Sequence, residues 1–177
     1  MLKFNEEEQI KAIKGALALR PQVEEIIDKL YAEKFDAVYY LGIGGTYASS
    51  MQAVTYMNGK SNLPVFVQHA AEYYTTGNKR LTKDSIVILS SVTGTTQEVV
   101  KAVEQIKKVG ATLIGFIDKA NSKLSQLCDF VVTYPDPGTE QLKFFMAADR
   151  SMYLNGEFED YSEYYEQLER YLPTGLV

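Results

Sequence analysis

Hydroxyl side chains and a glycine follow one apolar run of the sequence, and together they have the chemistry of an anion site. The run 86–89 (Ile-Val-Ile-Leu) leads into Ser91, Thr93, Gly94 and Thr96, after which a helical pattern begins. In a parallel α/β sheet, such a turn lies at the carboxyl end of its strand, where open sheets bind their ligands. The N–H groups and the positive dipole end of the helix attract an anion, and hydroxyls add donors. The pattern favours a bound phosphate.

Three carboxylates and one histidine follow predicted strands and are candidates for acid or base chemistry beside that turn. They are His69 and Glu72 at the second strand, Glu98 after the third strand and Glu140 after the fifth strand. Each has a structural alternative. Glu98 has capping-box spacing from Thr95, which needs no ligand, and Glu140 is favoured by the dipole of a first helical turn. Glu72 fits a solvated helix face, and His69 fits a hydrogen-bonded structural group.

The composition limits the classes of partner. The chain has 177 residues, 46% of them hydrophobic, and 18 basic against 23 acidic residues give a net charge of −5. This length suits one compact domain, and the acidic balance argues against nucleic acid as a partner. The chain contains no apolar run of the roughly 20 residues that a membrane span needs. Its first residues are acidic, unlike a signal peptide, so we expect a cytoplasmic protein.

The sequence contains few of the cysteine and histidine residues that usually bind a metal ion. Cys128 is the only cysteine and His69 the only histidine. An intrachain disulfide is therefore excluded, a zinc site built by one chain is not expected, and we predict no metal. Cys128 precedes an apolar run and is expected to fill the core.

Strands alternate with helices along the chain, which predicts right-handed βαβ crossovers and a parallel α/β sheet covered by helices on both sides. Two helices are expected before the first strand and a Tyr/Glu-rich helical segment after the last. The predicted strands are 37–41, 63–68, the run from 86, 111–117 and 130–134. We divide the chain into N-terminal helices (1–34), an α/β domain (35–156) and a helical tail (157–177). The tail tyrosines suit packing or a subunit surface better than a cofactor site.

A glycine turn follows the first strand. It reads Gly42-Ile43-Gly44-Gly45-Thr46, so a ligand could approach its backbone closely. It does not match the dinucleotide fingerprint, because Tyr47 stands where the last glycine is needed and no acidic residue ends the next strand. No cofactor is expected from this turn.

The two turns together resemble the sugar isomerase (SIS) domain family. Gly-x-Gly-Gly-Thr-x-x-Ser follows strand one and Ser-x-Thr-Gly-x-Thr follows strand three. The resemblance implies a doubly wound, flavodoxin-like fold with a five-stranded parallel sheet in a three-layer sandwich, and a sugar phosphate as ligand. It assigns phosphate or hydroxyl contacts to Ser91, Thr93, Gly94 and Thr96. It assigns a sugar-side contact to Thr46, with Gly44 in the same turn.

A third stretch, Gly138-Thr139-Glu140, is similar to the isomerase half of glucosamine-6-phosphate synthases, although the family's Val-x-x-Thr-Lys does not follow it. The residues at positions 92–98 are more similar to the corresponding stretch of the fructosamine-6-phosphate deglycases. The resemblance implies a homodimer and a deglycase or isomerase. In such enzymes a second SIS unit carries the acid/base stretch, which is not found here, and 172–177 resembles the lead-in to it. A non-catalytic module that senses a phosphosugar is the alternative.

Overall fold

The computed structural model describes residues 5–134 and 139–172, which form eight helices and five strands. The strands are β1 (Val38–Gly42), β2 (Val65–His69), β3 (Ile86–Ser91), β4 (Thr112–Ile117) and β5 (Phe130–Val132). The helices are α1 (Glu6–Leu17), α2 (Arg20–Tyr31), α3 (Gly45–Asn58), α4 (Ala70–Thr76), α5 (Gln97–Val109), α6 (Lys123–Leu127), α7 (Glu140–Leu154) and α8 (Ser162–Tyr171). No helix in the described residues is long and apolar enough to cross a membrane.

The strands form one parallel sheet in the order β2-β1-β3-β4-β5, which confirms the predicted fold class. Each strand is followed by a helix, so the right-handed crossovers place helices on both faces of the sheet. In β1 and β3 every residue is buried, as expected of central strands covered on two sides.

The sheet separates two apolar cores because alternate side chains of a strand point to opposite faces. Tyr40 and Ile88 join the core beneath α2, α3 and α7. Tyr39 and Leu89 join the core beneath α4, α5 and α6. The result is the three-layer arrangement that the sequence predicted.

Polar contacts connect the helices that come before and after the sheet. Arg150 of α7 donates two hydrogen bonds to the carboxylate of Asp28 on α2, at 2.6 and 2.8 Å. The hydroxyl of Tyr161 donates to Glu24 on α2 at 2.8 Å. The first residues of the Tyr/Glu-rich tail therefore pack against α2. Within α8, Tyr165 is buried, whereas Tyr164 is 68% exposed.

Several predicted boundaries were displaced by one or two residues. β2 begins at Val65 and extends to His69, and β5 ends at Val132 instead of Tyr134. Cys128 follows α6 and is partly buried against the second core, where burial raises the pKa of its thiol to about 12. The predicted turn 135–138, with Gly138 of the third family match, lies outside the described residues, as does the segment 173–177.

Candidate functional site

Three strand ends meet at the carboxyl edge of the sheet and bring two sequence-predicted turns together. Gly42 at the end of β1 pairs with His69 at the end of β2. On its other side β1 pairs with β3, with Leu41 beside Leu89. The glycine turn after β1 and the hydroxyl turn after β3 are therefore neighbours, and the strand order reverses between these two strands, at a topological switch point.

The β3–α5 turn (residues 92–96) is organised by its own hydroxyls. Ser91 Oγ accepts a hydrogen bond from the backbone N–H of Gly94 at 3.0 Å, and Thr93 Oγ1 accepts one from Thr95 N–H at 3.3 Å. Thr96 is the N-cap of α5, but its side chain makes no capping hydrogen bond. Side chains cap α1 and α6, through Asn5 and Ser122, whereas α2, α4 and α8 begin without a side-chain cap, as α5 does. The first turn of α5 thus keeps its N–H groups for an external acceptor.

Gly94 is required in this turn for two reasons. Its φ of +64° lies in the left-handed region, which favours glycine. A Cβ atom added to it would lie 2.0 Å from Ser122 Oγ, because the turn packs closely on the segment before α6. The carbonyl of Gly94 also accepts from Leu124 N–H at 3.1 Å. The backbone of the turn is therefore fixed from both sides.

The glycine turn brings the start of α3 close to the end of β1. A Cβ atom on Gly42 would lie 2.5 Å from the backbone nitrogen of Tyr47. Thr46 Oγ1 donates to the carbonyl of Ile43 at 3.0 Å and accepts from the N–H of the same residue at 3.1 Å. Gly44 is the N-cap of α3, with no side-chain capping bond. The hydroxyl of Thr46 thus holds the turn closed, and the start of α3 at this edge has no side-chain cap, like the start of α5.

His69 lies beside the glycine turn, at the carboxyl end of β2. Its ring is 4.9 Å from the Tyr47 ring, centroid to centroid, in an edge-to-face contact. The Nδ1 atom is buried and has no hydrogen-bond partner among the described residues. No hydrogen bond of Nδ1 to the described residues therefore identifies His69 as a structural histidine, and its role as an acid or base stays a prediction. The ring lies at the carboxyl edge of the sheet.

The three candidate carboxylates differ in position. Glu72 and Glu98 are exposed, whereas Glu140 is partly buried and accepts from the hydroxyl of Tyr134 at 3.5 Å. The capping-box interpretation of Glu98 is wrong, because the N-cap of α5 is Thr96 instead of Thr95. Glu98 is then the second helical residue, one position too early for the reciprocal contact.

A buried polar cluster next to this edge was not predicted. Ser90 Oγ lies 3.2 Å from the hydroxyl of Tyr134, and Lys143 Nζ donates to Thr139 Oγ1 at 2.6 Å. The same Nζ lies 3.2 Å from the centre of the Tyr134 ring, and Lys143 is fully buried. Burial raises the pKa of Tyr134 to about 12, so its hydroxyl stays protonated. The available signal was a single lysine, four residues after a threonine, within the apolar sequence of α7.

The described residues contain no cluster of three or more His, Cys, Asp or Glu side chains that could hold a metal ion. The chemistry of the edge is instead that of hydroxyl and backbone N–H donors with a histidine and a carboxylate nearby. Such donors recognise an anion at a helix start.

Comparison with curated proteins gives two kinds of relative. The chain is 31% identical over 104 residues to an uncharacterized HTH-type transcriptional regulator from Clostridium perfringens, covering 58% of this chain and 36% of the relative. It is 26% identical over 114 residues to the fructoselysine 6-phosphate deglycase of Escherichia coli K12, covering 64% of this chain and 34% of the enzyme. The chain thus spans about a third of the length of these relatives.

The fold is that of known SIS structures. The C-terminal domain of glucosamine-fructose-6-phosphate aminotransferase from Francisella tularensis superimposes with a TM-score of 0.78 at 17% identity, covering 95% of this chain and 52% of the other. The SIS domain family model matches residues 29–152, more than half of the chain. The match includes β1 to β5 and both turns of the carboxyl edge. The chain therefore belongs to the SIS domain family.

Proposed function

We propose that this chain is a sugar-phosphate-binding SIS unit that holds the phosphate in the β3–α5 turn. The observation that carries the proposal is the uncapped start of α5, which is joined to a turn whose backbone Ser91 and Gly94 hold in place. The hydroxyls of Thr93 and Thr96 add donors to the helix N–H groups. The relative named as a fructoselysine 6-phosphate deglycase supports a phosphosugar as the guest.

The sugar extends from the phosphate toward the glycine turn at Gly44 and Thr46. In this pose the C1–C2 end of an open-chain sugar faces the edge where His69 and Glu140 lie. An isomerase moves a proton between C1 and C2 through an enediol, whereas a deglycase uses water to release an amine from C1. Both reactions need an acid and a base within hydrogen-bond reach of those atoms. His69, Glu98 and Glu140 are the candidates in this chain.

A second SIS unit is proposed to complete the acid/base set, from the same protein or from a partner copy in a homodimer. The chain accounts for only 52% of the matched aminotransferase domain, so that protein has as much sequence again outside the shared fold. The protein acting in this way would be a cytoplasmic deglycase or isomerase.

Sensing without catalysis is the second candidate function. It is favoured by the similarity to an HTH-type transcriptional regulator, which is the more identical of the two relatives described above. The same phosphate turn would serve a sensor, but no acid or base would be required of His69, Glu98 or Glu140.

Thermal-shift titration tests the proposed binding. Fructose 6-phosphate, glucosamine 6-phosphate and fructoselysine 6-phosphate are each added to the folded chain. A ligand at about 100 times its Kd stabilises the folded state by about 2.7 kcal/mol and raises the Tm. The double variant Thr93→Ala/Thr96→Ala should lose the shift. The matched control Thr75→Ala/Thr76→Ala removes two exposed hydroxyls on α4 and should keep it.

No shift with any of the three compounds, or an unchanged shift in the Thr93/Thr96 variant, contradicts the proposal. Turnover assays then separate the two functions. Release of lysine from fructoselysine 6-phosphate, or interconversion of the aldose and ketose phosphates, indicates an enzyme. Binding of a ligand without turnover, also in the presence of a second SIS unit, indicates a sensor.

A further inference from the structure

An aromatic cavity of about 380 Å³ lies among α3, α7 and α8 and is not part of the carboxyl edge. Five aromatic side chains contribute to its lining: Tyr56, Phe145, Phe158, Tyr164 and Tyr165. Its volume lies in the range of small-molecule sites. Tyr56 is in the last turn of α3, about 15 Å along the helix from Thr46 in the first turn. The cavity therefore does not share the phosphate turn.

The polar part of this cavity is a buried carboxylate. Asp149 is 8% exposed, and its two oxygens accept hydrogen bonds from the hydroxyls of Tyr56 at 2.7 Å and Tyr165 at 2.6 Å. Burial raises the pKa of Asp149, while the two phenols act in the opposite direction by stabilising the charged form. Burial and the neighbouring Asp149 raise the pKa values of both phenols, which therefore remain donors. Because both oxygens of Asp149 accept hydrogen bonds from phenols, its carboxyl group is held in place as an acceptor in the cavity.

The aromatic walls already hold a cation. The ammonium of Lys60 lies 5.3 Å from the ring centres of both Tyr56 and Phe158. Its charge also lowers the pKa of Asp149, so ammonium and carboxylate are within electrostatic reach. Lys60 is exposed and its stem is flexible, so its ammonium can leave the rings at little cost. Aromatic ring faces next to a carboxylate are the groups that typically bind an organic cation.

We propose that this cavity binds a small organic cation, an alkylammonium or quaternary ammonium group, with Asp149 as its counter-ion and the rings of Tyr56 and Phe158 as its walls. Lys60 is the internal competitor that the ligand displaces. The proposal is independent of the phosphosugar function, since it uses none of the residues at the carboxyl edge.

The test compares choline with 3,3-dimethyl-1-butanol, in which a carbon replaces the charged nitrogen at nearly constant shape. Binding is measured by isothermal titration calorimetry and by amide chemical-shift changes. We expect choline to bind at least tenfold more tightly than the neutral isostere. Lys60→Gln should bind choline several-fold more tightly than the wild type, because the competing ammonium is gone.

Two substitutions distinguish the contribution of the ring faces to choline binding from that of the negative charge. Phe158→Leu keeps apolar volume but removes a ring face, and Asp149→Asn keeps shape but removes the charge. Each should weaken choline binding about tenfold or more. The control Glu159→Gln makes the same change in net charge at an exposed residue outside the lining, and should bind as the wild type does.

Circular dichroism and a cooperative thermal transition verify that each variant is folded. If Asp149→Asn does not fold, Phe158→Leu and Lys60→Gln still test the proposal. Equal affinity for the two probes overturns it, as does no choline binding to folded wild-type and Lys60→Gln protein. Unchanged affinity in Phe158→Leu also overturns it. The phosphosugar thermal shift of Phe158→Leu is recorded in parallel, so failure at this cavity can be distinguished from failure at the carboxyl edge.

Discussion

Single residues decide the geometry of the β3–α5 turn. Ser90 and Ser91 are adjacent, yet their hydroxyls contact different parts of the molecule. Ser90 lies near the hydroxyl of Tyr134, and Ser91 accepts from the N–H of Gly94. Gly94 in turn is pressed against Ser122. Contacts of this kind, fixed before any ligand arrives, reduce the ordering cost of binding.

Replacing Gly94 with alanine should destabilise the chain strongly, because two costs act at the same position. Left-handed backbone costs a residue with a Cβ roughly 1–2 kcal/mol, and the clash with Ser122 adds to this. We expect a loss of about 3 kcal/mol or more, measured by urea denaturation.

Gly156→Ala is the matched control. Gly156 also has a positive φ, of +72°, but a Cβ there would meet no atom within 4 Å. Gly156→Ala should therefore show only the cost of the left-handed backbone, about 1–2 kcal/mol. Equal losses in the two variants would show that contact with Ser122 does not constrain Gly94.

Much of the site could be predicted at the level of residues because strand ends and helix starts are local in sequence. The change from an apolar run to a helical pattern predicts a turn between β3 and α5. That turn region contains Ser91, Gly94 and Thr96. The cluster of Ser90, Tyr134 and Lys143 could not be predicted in this way. This cluster forms only when α7 packs against the sheet near the end of β3. That packing joins elements that are distant in the chain.

At the level of elements, a single carboxylate joins two connections. Glu157, in the segment after α7, accepts from the hydroxyl of Ser61, from the backbone and side-chain amides of Asn62, and from the side chain of Asn155. These bonds, led by that of Ser61, lower the pKa of Glu157 from 4.5 to about 2. The α3–β2 connection is thereby fastened to the end of α7.

The stability that Glu157 contributes should depend on pH. Its pKa is lowered in the folded chain, so the contribution is present above about pH 4.5 and is lost as the pH falls toward 2. Glu157→Gln should therefore lower the Tm at pH 7, and its difference from the wild type should shrink below about pH 4.5. Thermal unfolding followed by circular dichroism between pH 7 and 3 measures this.

Glu159→Gln serves as control for that experiment, because Glu159 is exposed and two residues away. Its Tm should follow the wild type at every pH. A constant difference between Glu157→Gln and the wild type over the whole range would mean that the hydrogen bonds do not depend on the carboxylate charge.

At the level of the whole molecule, the sheet and α7 are joined through aromatic contacts in the first core. The ring of Phe144 lies 5.3 Å from Tyr40 on β1 and 6.0 Å from Phe116 on β4. Phe144 is fully buried, whereas its neighbour Phe145 lines the aromatic cavity and is only partly buried. Two adjacent phenylalanines therefore have different roles in the same helix.

Phe144→Ala should cost about 3–5 kcal/mol of the free energy of unfolding, because it leaves a void between the sheet and α7. Phe145→Ala should cost less, about 2 kcal/mol or under, since its surroundings are open to solvent. Urea denaturation of both variants measures the difference. A larger loss for Phe145→Ala would contradict this assignment of the two side chains.

The fold was more predictable than the packing of its outer helices. Alternation of apolar runs and helical patterns led to the parallel sheet, and the resemblance of the two turns led to the family. The positions of α2 and α8 rest on contacts such as those between Arg150 and Asp28 and between Arg20 and the carbonyl of Ser162. Partners of this kind are far apart in the chain, and no periodicity in the sequence connects them.

The adjacency of Ser90 and Ser91 has a consequence for how variants of this protein are interpreted. The hydroxyl of Ser90 lies near Tyr134 on one side of the sheet, whereas that of Ser91 holds Gly94 of the β3–α5 turn on the other side. If this turn binds a ligand as proposed, we expect substitutions that displace Ser91 or Gly94 to change the affinity without contacting the ligand. Loss of affinity in a variant remote from the turn therefore does not by itself identify a binding residue.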